Sequence, residues 1–256
     1  MAFDYNPRRT RNLYDPASAE PFKISRSKLE LFLECPKCFY LDRRLGISRP
    51  SGPSFSLNAA VDALLKKEFD AHRAKGKVHP LMKEYGINAV PFQHEKMDYW
   101  RNTFSGIRVL HKKTNFLVYG AIDDIWASNG GRELLIVDYK STSTEKEITL
   151  DDKWKQVYKR QMEIYQWLAR NNDFLKNYNI SDVGYFVYCN GRKDREAFDG
   201  MLEFDIELLP YRGNSDWVEG KIIEAKECLM GDNIPEMAEN CDFCRYRKEI
   251  SKEDNF

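Results

Sequence analysis

The sequence predicts an α/β layered domain, a β-sheet covered by helices on both faces, and three observations predict it. Two apolar runs, residues 116–126 and 133–140, flank Asn129-Gly130-Gly131, a tight-turn signal, and so read as a hairpin. That hairpin is apolar on both sides of its pleat: Tyr119, Ala121, Ile125, Leu134 and Ile136 share one face, and Ile122, Trp126, Leu135 and Val137 share the other. A sheet buried on both faces needs helices above and below it, and the helical periodicity before and after the hairpin supplies them.

Residues 1–23, with Pro7, Pro16 and Pro21, read as an irregular arm. A helix with Ser27 as its N-cap follows through Leu29, Leu31, Phe32 and Leu33 to the Cys35-Pro36 break, and a second, short one runs through Phe39, Tyr40 and Leu45 to Gly46. Residues 48–54 are a Pro/Ser/Gly loop, and Leu57, Val61, Leu64, Leu65 and Phe69 restore helical spacing. Another helix is expected near 92–104, then strands at 106–112, 116–126 and 133–140, and a long amphipathic helix over 152–171. Strands fit 183–189 and 201–208, a last helix fits 216–230, and residues 232–256 read as irregular. This gives one domain over residues 24–247, an arm before it and a tail at 248–256. Within 256 residues, 42% hydrophobic and 13% aromatic, there is ample material for its core.

With 40 basic and 40 acidic residues, net charge selects no partner, so any affinity for a polyanion must come from local clusters. Arg8, Arg9, Arg11, Arg43 and Arg44 form candidates, as do Lys153, Lys155, Lys159 and Arg160, although solvated helix faces give the same pattern. No apolar run approaches the roughly 20 residues of a membrane span, and Met1-Ala2-Phe3-Asp4-Tyr5 lacks a signal-peptide core. No membrane association and a cytoplasmic location are therefore expected, and with them cysteines that serve as metal ligands before disulfides.

The central hairpin also carries charge. If Gly130-Gly131 form a two-residue loop, residue 129 pairs with 132, and counting back sets Asp123 opposite Asp138. Facing carboxylates repel at the ~5 Å spacing of a directly paired site and call for a cation. Hard divalent ions such as Mg2+ take oxygen ligands of this kind. Lys140, two residues beyond Asp138, points to the same face. Two acids, a metal and a lysine on one sheet face suit phosphodiester hydrolysis. The acid-x-lysine triplet alone is weak evidence, since Asp151/Lys153 and Glu224/Lys226 repeat it without a preceding apolar strand. The competing reading is a buried salt bridge from Lys140 to one acid. On the helix that follows, Gln161 and Tyr165 are one turn apart and share a face.

Gly120-Ala121-Ile122-Asp123, Ile136-Val137-Asp138-Tyr139-Lys140-Ser141-Thr142 and Gln161-Met162-Glu163-Ile164-Tyr165 together resemble the ordered motifs of the PD-(D/E)XK nuclease superfamily. They most resemble its RecB-like exonuclease branch, which includes the CRISPR-associated RecB-like nucleases. The resemblance implies a restriction-endonuclease-like mixed β-sheet flanked by helices and a metal-dependent nuclease acting on DNA, at ends or on single strands. It implies that Asp123, Asp138 and the Tyr139 backbone carbonyl ligate Mg2+ or Mn2+. Lys140 would then position the attacking water, with Gln161 and Tyr165 steadying the lysine or touching the nucleic-acid backbone. A catalytically inactive nucleic-acid-binding module with the same fold is the alternative. Members of this branch carry a histidine ligand on the helix before the hairpin, where this chain has Asp62. An aspartate there would make a three-acid site for a hard cation, the competing reading being a surface residue beside a degenerate site. His72, His79, His94 and His111 show no ligand spacing.

Cys35-Pro36-Lys37-Cys38 and Cys241-Asp242-Phe243-Cys244 are two CxxC pairs at opposite ends of the chain, a metal-site signal. Four thiolates suit Zn2+ or a [4Fe–4S] cluster, and either would join the N- and C-terminal segments. The related exonucleases pair one N-terminal cysteine with three C-terminal ones around an iron–sulfur cluster. Here Cys35, Cys241 and Cys244 match, Ile250 stands at the final position, and Cys38 is left to complete the set. Cys189 and Cys228 read as core residues. Lys153, Lys159 and Arg160 are the candidate backbone contacts to DNA, and Trp154, Tyr158 and Tyr165 interleave with them at core spacing.

Overall fold

The computed structural model describes residues 8–52 and 56–253. In chain order it holds β1 (Phe22–Ser25), α1 (Arg26–Glu34), α2 (Pro36–Leu45), α3 (Ser56–Arg73), α4 (Pro80–Glu84), β2 (Ala89–Pro91) and α5 (Met97–Arg101). Then come β3 (Ile107–His111), β4 (Phe116–Gly120), β5 (Asp124–Ser128), β6 (Glu133–Thr142) and α6 (Gln156–Arg170). The chain continues through β7 (Asn179–Ile180), β8 (Val183–Gly191), β9 (Phe204–Arg212), α7 (Trp217–Met230) and α8 (Asp242–Glu253). The described residues divide into two compact units, one from residues 8–52, 110–119 and 216–253 and the other from 56–109 and 120–215.

The second unit contains the mixed sheet, in the order β2-β5-β6-β8-β9 with β7 also paired to β6. β5 and β6 are antiparallel, β6 and β8 parallel, and β8 and β9 antiparallel. Parallel neighbours require a long crossover, which α6 provides between β6 and β8. β6 is buried from Leu134 to Tyr139. Its odd-numbered residues Leu135, Val137 and Tyr139 pack with Trp126, Val187 and Leu208 against Leu65 and Phe69 of α3. Helix α6 covers the other face and comes so close that a Cβ on Gly184 would lie 2.5 Å from the Met162 sulfur and 2.9 Å from the Ile136 carbonyl oxygen. The sheet is thus flanked on both sides, as its two apolar faces predict.

The hairpin register is the predicted one. Ser128 pairs with Glu133 and Asp124 with Val137, so continuing one step aligns Asp123 with Asp138. The connection is a longer 3-10 turn over Asn129–Gly131, with Gly130 and Gly131 at φ 68° and 87°, a conformation that glycine adopts without a Cβ penalty. The expected strand at 116–126 is broken. β4 belongs to a three-stranded sheet of order β1-β4-β3, and β5 starts afresh in the mixed sheet. Between them the Ile122 amide bonds the Trp100 carbonyl in place of a ladder partner. Tyr119 and Ala121 therefore do not share the pleat of the acids.

Other expectations shift. Residues 22–25 form β1, parallel to β4, inside what reads as an irregular arm; residues 1–7 of that arm, and 53–54 of the expected loop, lie outside the described residues. The N-cap position of α1 is Ser25, not Ser27. The helix near 92–104 shrinks to α5, because residues 89–91 add an edge strand to β5 and the Phe92 amide bonds the Ile125 carbonyl. Strand β9 starts three residues later than expected, and the tail is not irregular, since α8 occupies 242–253. Trp154 is 58% exposed, outside the core its spacing indicates, because the segment 153–155 is a 3-10 turn ahead of α6.

In the first unit, Tyr14, Phe22 and Phe116 pack as an aromatic trio, and Phe32 of α1 meets Phe39 of α2 edge-on at 5.3 Å. Arg9 and Arg43 form no open basic patch. Both pair with Asp42, which is fully buried and also bound by Lys28 at 2.6 Å and the Ser48 hydroxyl at 2.6 Å. Burial opposes ionisation of Asp42, but Arg43, Lys28 and Ser48 outweigh it and hold the carboxyl at about 2. Among the described residues no helix is long and apolar enough to cross a membrane.

Candidate active site and cysteine centre

The acid–lysine group lies within the second unit. Asp138, on the face of β6 toward α6, is fully buried. One oxygen accepts from the Gln161 amide at 2.8 Å and the other pairs with the Lys140 ammonium. Gln161 also receives a hydrogen bond from Lys140 at 3.4 Å and donates to the Tyr165 hydroxyl at 3.0 Å. One strand and its crossover helix thus assemble Asp138, Lys140, Gln161 and Tyr165, because alternate strand residues and helix residues four apart each share a face. The Lys140 ammonium also lies 4.5 Å over the Tyr158 ring. Burial works against the charge on Lys140, yet Asp138 and then Asp123 outweigh it and raise its pKa. Lys140 is therefore a cation at neutral pH, able to stabilise negative charge and to orient a ligand but not to accept a proton.

Asp123 immediately precedes β5, and its carboxylate accepts the Tyr139 backbone amide at 3.0 Å. Its other oxygen receives Lys66 of α3 at 3.3 Å, and Lys66 binds Asp62 one turn earlier at 2.8 Å. Asp62 thus joins the site through Lys66. Among the described residues, the three acids do not form a group with ligand atoms mutually within 4.8 Å. Lys66, which the sequence reading passes over, is the cation that stands between two of them. Burial opposes its charge while Asp123 and Asp62 raise its pKa.

Asp124, the neighbour of Asp123, is also absent from the sequence reading. It is fully buried on the opposite pleat face and takes Arg73 at 2.5 Å, Arg101 at 3.2 Å, the Tyr139 hydroxyl at 2.8 Å and the Ile125 amide at 2.8 Å. Arg101 further donates to the Asp123 carbonyl at 2.9 Å. This network pins the backbone that presents Asp123. Desolvation, then Asp124, push the Tyr139 hydroxyl well above its ordinary value, so it remains a donor. Consecutive acids at a strand start, one for each face, are the signal that would have found it.

The candidate backbone contacts lie near the start of α6. Lys153 is exposed, Arg160 is half-buried, and Lys159 pairs with Asp151 at 3.7 Å. Lys155 turns inward, bonding the Thr149 carbonyl at 2.6 Å and Asp152 at 2.9 Å.

The cysteine group lies within the first unit. Cys35, Cys38, Cys241 and Cys244 are buried, and their sulfurs all lie within 4.8 Å of one another. They are free thiols, with separations of 3.8 Å for Cys35–Cys244, 3.6 Å for Cys38–Cys241 and 3.5 Å for Cys38–Cys244, far beyond a disulfide bond. The two pairs are built alike. Cys35 precedes α2 and Cys38 lies in its first turn; Cys241 precedes α8 and Cys244 lies in its first turn. The Cys35 carbonyl accepts from Phe39 N and the Cys241 carbonyl from Arg245 N, each at 3.0 Å. Helix N-termini favour the thiolate form. Burial opposes that form: at Cys35 backbone donors outweigh it and lower the pKa to about 7, whereas at Cys38 and Cys244 burial prevails and pushes the thiols up. Cys189 packs in the core, whereas Cys228 is half-buried with its sulfur 3.9 Å from the Pro36 carbonyl.

A mixed sheet with two acids, a protonated lysine and a glutamine at its hairpin and crossover helix is an arrangement that can present a divalent cation and a fixed positive charge to a phosphate ester. Over residues 23–248 the chain matches the PD-(D/E)XK nuclease superfamily, and it belongs to that superfamily. No curated protein matches it. Nucleases of this superfamily act on nucleic acid with divalent metals. Asp123 and Asp138 offer hard oxygen donors beside a protonated lysine, which fits such an ion, and the four thiolates fit a second, softer metal or a cluster.

Proposed function

We propose that this protein is a Mg2+- or Mn2+-dependent deoxyribonuclease of the RecB-like branch, an exonuclease acting on DNA ends or single strands in the cytoplasm. The observation that carries the reading is the buried Asp138–Lys140–Gln161–Tyr165 cluster beside Asp123. Asp123, Asp138 and the Tyr139 carbonyl would hold the metal, with Asp62 as a third acid once Lys66 turns away from it. The metal, when bound, supplies Lewis-acid stabilisation of the phosphate and an acidified water. Lys140, held protonated by Asp138, orients the attacking water and offsets charge on the phosphate oxygens. Gln161 fixes both Asp138 and Lys140, and Tyr165 fixes Gln161. Lys153, Lys159 and Arg160 would bind the DNA backbone electrostatically. We further infer that residues 24–247 work as one nuclease domain, a reading supported by the family match, which draws on both compact units.

The test uses labelled single- and double-stranded DNA, and RNA, with Mg2+, Mn2+ or EDTA. Metal-dependent shortening of DNA from its ends is expected, lost in Asp138→Ala and Lys140→Ala while both variants remain folded. Robust cutting by both variants overturns the assignment. One observation favours a second reading, a catalytically inactive DNA-binding module: Lys66 already neutralises Asp62 and Asp123. Binding without metal-dependent degradation would decide for it.

A further inference from the structure

We propose that the cysteine quartet holds one tetrahedral zinc ion, not an iron–sulfur cluster, and that Arg49 balances its charge. The spacing of the sulfurs carries this. With a Zn–S bond of about 2.3 Å, the edge of a regular tetrahedron of thiolates is about 3.8 Å. The sulfur separations of 3.5, 3.6 and 3.8 Å match that edge, and no pair exceeds 4.8 Å. A cubane cluster places an iron beneath each thiolate and sulfides between the irons, so its four ligands stand further apart than the edges around a single ion. Closing four thiolates on one point leaves no room for such a core.

The ligand arrangement agrees. Each CxxC pair wraps the start of its own helix, so the quartet is two matched halves with the second cysteine of each half in a first helical turn. Two equivalent bidentate halves fill a four-coordinate ion completely, the closed form that structural zinc takes. A zinc ion with four thiolates carries a net charge of about −2. Arg49 meets that charge from outside the sulfurs: its guanidinium donates to the Cys241 sulfur at 3.5 Å. Glu34, at 2.5 Å, and the Phe243 ring, 4.6 Å away, hold the guanidinium in place. Partners of this kind orient metal ligands and tune their affinity.

This inference rests on reading the quartet as a metal centre and does not depend on DNA cleavage. The full chain is expressed with iron and zinc both supplied, purified without oxygen, and analysed for zinc, iron and acid-labile sulfide. One zinc per chain, colourless protein and no sulfide are expected. Iron and sulfide in matching multiples, with brown charge-transfer absorbance, overturn the single ion while leaving a metal centre; protein with neither metal overturns both. Replacing the zinc by Co2+ should give the visible bands of tetrahedral cobalt thiolate, and octahedral spectra would refute the geometry. Arg49→Met should keep the stoichiometry but weaken zinc retention against a chelator about tenfold, with Arg49→Lys recovering part of it. Retention unchanged in Arg49→Met removes the assigned role of Arg49.

Discussion

The acid–lysine site, only partly buried, and the cysteine quartet, buried throughout, are both clusters of ionisable side chains, yet the chain assembles them by opposite routes. At the first, a hairpin and its crossover helix bring together groups within 43 residues of sequence, from Asp123 to Tyr165. Charge there is compensated internally: Lys140 answers Asp138, and Lys66 answers Asp62 and Asp123. At the second, cysteines more than two hundred residues apart meet at the starts of two helices, and no side-chain cation lies inside the set. The comparison separates a site whose charges are already compensated by side chains from one whose ionised form would need an added cation. A site that already holds its own cations stays folded without metal and can exchange it, whereas clustered thiolates require an ion to be ionised together.

The sharpest way to break this comparison is Asp138→Asn. A fall in cleavage of about a thousandfold or more is expected, with metal at the quartet unaffected and thermal stability lowered, because the Lys140 ammonium loses its buried carboxylate partner. A loss of quartet metal would show that the two sites are not separable. Next in size, Asp124→Ala strands Arg73 and Arg101 without their buried partner and should destabilise the protein by about 3–5 kcal/mol, read by denaturant unfolding. An effect under about 1 kcal/mol would mean the network does not hold Asp123 in place.

In the first unit, Asp42 adds a pH signature. Its pKa is depressed in the folded chain, so its contribution is present above the ordinary carboxylate range and is lost as pH falls from about 4 toward about 2. That contribution is about 2 kcal/mol, and Asp42→Asn should flatten unfolding free energy across this window. A wild-type profile already flat there would contradict the ion cluster. The smallest effect expected is for Tyr165→Phe, which removes one hydrogen-bond partner of Gln161 and should slow cleavage about five- to tenfold, near 1 kcal/mol. Rate loss as large as that of Asp138→Asn would give Tyr165 a direct part in the chemistry.

The local parts of both sites were legible. The register linking Asp123 to Asp138 follows from turn chemistry and a period of two, and the Gln161–Tyr165 face follows from helical spacing. The pairing of two distant CxxC motifs follows from thiolate chemistry. Asp124 was legible only through its place beside Asp123 at a strand start, and Lys66 was not legible as a site residue. A lysine and an aspartate one turn apart on a surface-patterned helix look like an ordinary solvated pair until packing places that helix beside Asp123. The break between β4 and β5 was equally hidden, because a continuous apolar run satisfies one long strand as well as two strands in different sheets.

By itself, then, the sequence determined which groups belong to each strand face, each helix face and each helix start, since backbone periodicity acts over a few residues. Only the tertiary structure decided which faces meet: that Lys66 stands between two acids, that Arg73 and Arg101 close on Asp124, and that four sulfurs converge on one point. Those contacts depend on the packing of segments far apart in the chain, where distances are set by the fit of whole elements and not by spacing along the backbone.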